Sequence, residues 1–170
     1  MRNDNRGRPI HDLVMMSGEF AKELRKYCDW FTGIPDSALK NTQANLENFH
    51  FSSRENHAVA MAFGSRMAGG KPCILIQNSG LGLAIDAILG TFTLYNQGVL
   101  IVVSNRGELE WEEIQHHDWG KITINLIDTL GWSLIDFEKE VSSGIVRASD
   151  LAFNENRVTV LLVHRGNLDE

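Results

Sequence analysis

Glu55 opens a stretch dominated by Ala58, Ala60, Ala62, Gly64, Ser65 and Ala68, in which Arg66 is the next charge. A carboxyl held at such a buried surface has its pKa raised, and in protonated form it can donate a hydrogen bond to a ring nitrogen. The plainer reading is an acidic residue favoured at a helix start by the helix dipole. His116-His117 is a second concentration of reactive groups, set in an acidic segment from Glu108 to Asp118. Adjacent histidines without a nearby cysteine argue weakly for zinc, so proton transfer near neutral pH is the better functional reading and a solvated loop the plain one. Two short strings, Gly33-Ile-Pro-Asp-Ser37 and Asn78-Ser-Gly-Leu-Gly82, also carry turn formers beside polar groups. Gly80 and Gly82 do not make a dinucleotide fingerprint, which needs three glycines and a later acidic residue. A tight strand-to-helix turn accounts for them equally well. The Gly-x-Ser-x-Gly signature of a serine nucleophile is absent.

These groups need elements to hold them. Residues 1–9 are polar and read as a mobile tail ahead of a single domain over 10–170. His11 to Tyr27 has apolar residues at helical spacing. Trp30-Phe-Thr32 is a short apolar run, after which Pro35 to Lys40 predicts a turn opening a short helix, with Asp36 or Ser37 as its cap. His50 to Ser53 reads as a short strand and Glu55 to Ala68 as a helix that Gly69-Gly70 stops. Cys73 to Ile76 and Val99 to Val103 are buried-type strands. Asn78 to Gly82 reads as a turn, and Leu83 to Leu94 as an apolar helix. Residues 105–119 predict an exposed loop, and loops of that length are usually functional or disordered. Ile122 to Leu130 reads as a helix, Trp132 to Ile135 as a strand, Glu138 to Asn154 as one or two polar helices, and Val158 to Val163 as the last strand. Short apolar strands alternating with helices predict an α/β fold, a doubly wound parallel sheet with helices on both faces. In such sheets ligands sit at the carboxyl ends of the strands.

The 170 residues, 43% of them hydrophobic and spread along the chain, suffice for one core and exclude intrinsic disorder. Two cysteines exclude a disulfide scaffold and suit a reducing cytoplasm. A net charge of -6 argues against a nucleic-acid partner held by phosphate neutralisation. No signal core is seen, and Val99 to Val103, the longest apolar run, is far short of the roughly 20 residues that span a bilayer, so a cytoplasmic protein with no membrane partner is expected.

Taken in order, Phe31-Thr-Gly-Ile-Pro-Asp-Ser37, Glu55, Gly70-Lys-Pro72, Gln77-Asn-Ser-Gly-Leu-Gly82, Arg106-Gly107, Gln115-His116 and Gly120-Lys-Ile-Thr123 form a specific set. The set resembles the pyrimidine-binding domain of thiamine diphosphate enzymes, and in particular the sulfopyruvate and phosphonopyruvate decarboxylases. Where that group reads Asn-Glu-Gly, this chain has Arg54-Glu55-Asn56. His116-His-Asp-Trp-Gly120 further resembles the His-His-x-x-Gly of pyruvate decarboxylases. The Gly-Asp-Gly that in these enzymes marks the diphosphate and Mg²⁺ half is absent. The resemblance therefore implies the alpha subunit of a split enzyme. Its thiamine diphosphate would be completed, with Mg²⁺, by a beta subunit, and this chain would supply no metal ligand.

The resemblance further implies roles. Glu55 would bond the aminopyrimidine and, with His116 and His117, serve catalysis. Asn78, Ser79 and Gly80 would line the cofactor. Ser37, Asn78, Gln115, His116 and Arg106 would contact a 2-oxo acid, with Arg54 a second candidate for its extra anion. The product would be an aldehyde and carbon dioxide. A carboligase-type half-enzyme and a non-catalytic binding relative remain alternatives on the sequence.

Overall fold

The structure is a computed structural model and describes residues 14–141 and 143–169. The predicted tail over 1–9 and the first residues of the helix predicted from His11 lie outside the described residues. Helix α1 runs Ser17–Tyr27, and ahead of it Met15–Met16 forms a short strand, β1.

Three strands form the centre of the sheet: β4 (Pro72–Gln77), β5 (Val99–Asn105) and β7 (Val158–His164). All are parallel, and β2 (Trp30–Gly33), β3 (Phe49–Phe51) and β6 (Ser133–Asp136) extend them to the order β3-β2-β4-β5-β7-β6. The predicted parallel sheet is the sheet observed. Successive side chains along a strand face opposite ways, and that period divides the core in two. Cys73, Leu75, Leu100, Val102, Leu161 and Val163 pack with Phe20, Leu24 and Ala148 under α1 and α6 (Gly144–Phe153). Ile74, Ile76, Val99, Ile101, Val103, Val160 and Leu162 pack on the other face with Ala58, Ala62, Ala84 and Ile127. That face is covered by α3 (Glu55–Met67), α4 (Asn78–Ile88) and α5 (Ile114–Thr129). Burial on both faces explains why these strands read as unbroken apolar runs. Each fully buried aliphatic side chain among them contributes about 1.5–3 kcal/mol.

Of the small residues predicted to pack, Ala58 and Ala62 are buried in one cluster with Ala84 of α4, whereas Ala60, Gly64 and Ala68 are exposed. Asn78 to Gly82 is not a separate turn but the first turn of α4. The helix predicted to reach Leu94 ends instead in a π-helical turn, Leu89–Thr93, where Leu94 N–H reaches back to Leu89 O. Residues 138–143 are turn rather than helix where described, and α6 starts only at Gly144. After β7 the chain adds β8 (Leu168–Asp169), which pairs in parallel with β1. Asp36, one of the two predicted caps, accepts the N–H groups of Ala38 and Leu39 and so closes the turn ahead of α2 (Lys40–Asn45).

Candidate active site

Parallel strands bring their carboxyl ends to one edge. There the turn after β2, the starts of α3 and α4, and the segment from β5 into α5 meet. Asp36 is buried because its other oxygen accepts Ser104 Oγ–H from the end of β5. That bond ties the Gly33–Ser37 turn to the sheet. Asn78 is fully buried at the start of α4, and its Nδ2 lies 2.9–3.0 Å from Asn105 Oδ1, Arg106 O and Thr123 Oγ1. It fastens α4, the end of β5 and α5 together. Such a side chain is more a structural hub than a free substrate contact.

Glu55 is the first residue of α3 and is half-buried. Its side chain lies directly over Gly80. A methyl group built at position 80 would come within 2.8 Å of Glu55 Cγ and 2.9 Å of Oε1. Just before Gly80, three polar side chains meet one another. Gln77 Nε2 donates to Ser79 Oγ at 2.8 Å and also meets His116 Nδ1 at 3.1 Å. Since an amide N–H can only donate, His116 Nδ1 accepts, and the neutral ring carries its proton on Nε2. That nitrogen lies 3.7 Å from Glu113 Oε2. His117 points elsewhere, with its Nε2 3.0 Å from Glu112 O. The structure thus brings His116, and not His117, against the start of α4. Gln115 is exposed on the first turn of α5.

The segment predicted as an exposed loop over 105–119 is neither exposed throughout nor all loop. Helix α5 starts at Ile114 and carries both histidines. Arg106 and Glu112 are buried. Glu112 Oε1 accepts Arg106 Nε–H at 2.8 Å, while its Oε2 accepts the N–H groups of Gly107, Glu108 and Leu109 at 2.8, 3.1 and 3.2 Å. Burial pushes the Glu112 carboxyl up, but Arg106 and the backbone donors outweigh it and hold it below the usual carboxylate range. A charge-rich string reads as solvated only when its charges cannot meet one another. Here they do. Arg106 also donates to Ser37 Oγ at 3.0 Å and to Glu113 Oε2 at 3.3 Å. Ser37 and Arg106, 69 positions apart in sequence, are thereby neighbours. Arg54 stands exposed at the N-cap of α3.

One cluster had no signal in the sequence. His164, at the end of β7, places Nδ1 on Glu108 Oε2 and Nε2 3.1 Å from Asp136 Oδ1. Both ring nitrogens can donate only in the imidazolium. Burial lowers the pKa of this ring, but the Glu108 hydrogen bond and the charges of Glu108, Asp136 and Glu138 outweigh it and raise the pKa above the ordinary imidazole value. A raised folded-state pKa stabilises fully below the unfolded pKa of about 6.5 and is lost as pH rises through the folded value. The chain is therefore expected to melt at a lower temperature at pH 9 than at pH 6, and His164→Gln should flatten that slope. An unchanged slope in the variant would show that His164 does not carry it. Glu138 lies close enough that it, Asp136 and His164 could in geometry share an ion. Asp136 is already committed to Lys139 at 2.7 Å and to His164.

No family model matches the chain. The alpha subunit of sulfopyruvate decarboxylase from Methanococcus maripaludis is 30% identical over 108 residues, 60% of this chain and 64% of that subunit. The same subunit from Methanocaldococcus jannaschii is 33% identical over 88 residues, 48% of this chain and 52% of that one. Phosphonopyruvate decarboxylase from Streptomyces viridochromogenes is 35% identical over 86 residues, 49% of this chain and 22% of that one. The chain thus spans less than two thirds of the length of the curated relatives it matches. In structure, the chain shares its fold with a 2-oxoglutarate:ferredoxin oxidoreductase from Magnetococcus marinus, at a TM-score of 0.70 and 14% identity over 90% of this chain and 29% of that one. Over the matched stretches, the chain is thus similar to the sulfopyruvate decarboxylase alpha subunits and to phosphonopyruvate decarboxylase.

Proposed function

We propose that this chain is the alpha-type subunit of a thiamine diphosphate-dependent decarboxylase. Its substrate would be a 2-oxo acid bearing a second acid group, such as 3-sulfopyruvate or 3-phosphonopyruvate. The observation that carries the reading is the placement of Glu55 over Gly80, the residue that follows Ser79 in a turn where Gln77 joins Ser79 to His116. Only a glycine leaves room there for the carboxyl to lie against α4. A carboxyl so placed suits a nitrogen heterocycle, to which it can give and from which it can take back a proton.

The Glu55 carboxyl over Gly80 suits the pyrimidine end of the cofactor. A diphosphate-bound Mg²⁺ calls for oxygen ligands, whereas Asp36 closes its own turn and Glu112 is held by four donors. We assign the remaining half to a partner, a beta subunit. Names of the relatives favour the same division, since the archaeal ones are called subunit alpha. The matched stretch is a much smaller share of the Streptomyces chain.

Thiamine diphosphate, when bound, supplies the electron sink that lets a 2-oxo acid lose carbon dioxide. Glu55 would hold and return the proton at the ring nitrogen. His116, with its proton on Nε2, would donate a hydrogen bond to a substrate oxygen, and Gln115 and Ser37 would flank it. We place the enzyme in the cytoplasm; among the described residues no helix is long and apolar enough to cross a membrane.

Reconstitution tests the reading. The purified chain should release no carbon dioxide from 3-sulfopyruvate or 3-phosphonopyruvate with cofactor and Mg²⁺ alone. Turnover should appear on adding a second polypeptide that carries Gly-Asp-Gly. Strong decarboxylation by this chain by itself would overturn the proposal.

A further inference from the structure

The donors that surround Glu112 make an anion site in their own right. Gly107 takes a left-handed φ of 90°, which turns three successive N–H groups, those of Gly107, Glu108 and Leu109, toward one oxygen. Backbone turns of this kind form concave anion-binding nests. The Arg106 guanidinium closes the nest from the side and reaches Ser37 with its next nitrogen. The occupant is the chain's own carboxylate. Glu112 is 5% exposed, whereas Trp111 beside it is 59% exposed and Ile114 is 85% exposed. Glu112 thus anchors one end of a turn whose other end Glu108 holds on His164, while Trp111 and the first residue of α5, Ile114, stay exposed.

We propose that this nest is the subsite for the second acid group of the substrate, and that Glu112 is a built-in occupant that the substrate displaces. The ligand class is a tetrahedral oxyanion, a sulfonate or phosphonate. Its oxygens can take up the N–H trio and the Arg106 donors together, where a planar carboxylate takes them with two oxygens. Exchange would free the Glu112 end of the turn while Glu108 stays on His164, and Glu113, with its side chain 63% exposed at the rim, would move with Glu112. The proposal rests on the decarboxylase reading for the identity of the substrate, but the site itself is testable without turnover.

Glu112→Ala empties the nest and keeps its donors. Methanesulfonate and methylphosphonate should then raise the melting temperature of the full chain saturably, compared with chloride at equal ionic strength. A ligand near 100 times its Kd should give a shift of roughly 5–10 °C in a chain of this size. The shift should vanish in Glu112→Ala with Arg106→Gln, and should be weak in the wild-type chain, where Glu112 competes. If Glu112→Ala does not fold, Glu112→Gln keeps the side-chain shape without the charge and should show the same saturable rise at lower affinity. A rise with acetate alone would make the nest a carboxylate staple and overturn the proposal. So would an equal response to chloride, or no response in either variant. Failure of turnover on reconstitution, with the anion response intact, would leave the site standing and remove only the substrate assigned to it.

Discussion

Glutamine in place of Glu55 is expected to lower turnover of the proposed two-subunit decarboxylase, once reconstituted, by about 10²- to 10⁴-fold, the usual worth of a positioned acid–base group. Glutamine keeps the size and one donor but cannot give up or take back a proton. The loss should fall on kcat more than on KM, because the proton is needed most where charge develops. The chain should stay folded. Glu55 is half-buried in the first turn of α3, so losing its charge forfeits at most the dipole interaction, about 0.3–1 kcal/mol. A purely structural glutamate makes the opposite forecast: a small stability loss and intact turnover. The kcat of the variant separates the two, with the melting temperature as the check that it is folded, and an unchanged kcat would strip Glu55 of its role.

The elements that hold this carboxyl were legible for a physical reason. A strand buried on both faces must be apolar at every position, so β4, β5 and β7 stand out as runs. A helix crowded against another must be small where they meet, and Ala58 and Ala62 of α3 record that, although Ala60 and Ala68 are exposed. Asn78, by contrast, reads like any turn residue until its three partners, from 27 to 45 positions away, are seen around it. The same holds for the segment after β5. Local composition records that Glu112 and Arg106 are charged, but not that a left-handed Gly107 folds the chain back so that the two meet. His164 lay hidden for the converse reason: it ends an apolar strand, and its partners Glu108 and Asp136 come from other parts of the chain. Pairing among distant polar groups is set by topology, and topology is not written in any single window of residues.

Alanine at position 80 tests the placement of Glu55 rather than its chemistry. Its methyl group would stand 2.8 Å from Glu55 Cγ and 2.9 Å from Oε1, so the glutamate side chain has to move. Displacement is cheap for stability, because what yields is a flexible side chain rather than backbone. Alanine also gains about 1 kcal/mol over glycine in a helix, and position 80 lies within α4. The melting temperature should therefore change by no more than about 2–4 °C in either direction, the shift that 1 kcal/mol brings. Turnover should nonetheless fall by about 10²-fold, the scale at which a misplacement of about 1 Å is felt. The double variant with Glu55→Gln decides whether the effect runs through Glu55. Residues that act through one another are not additive, so Gly80→Ala should cost little further activity once the carboxyl is gone. Full additivity of the two losses would mean that Gly80 serves the site in some way other than by making room for Glu55.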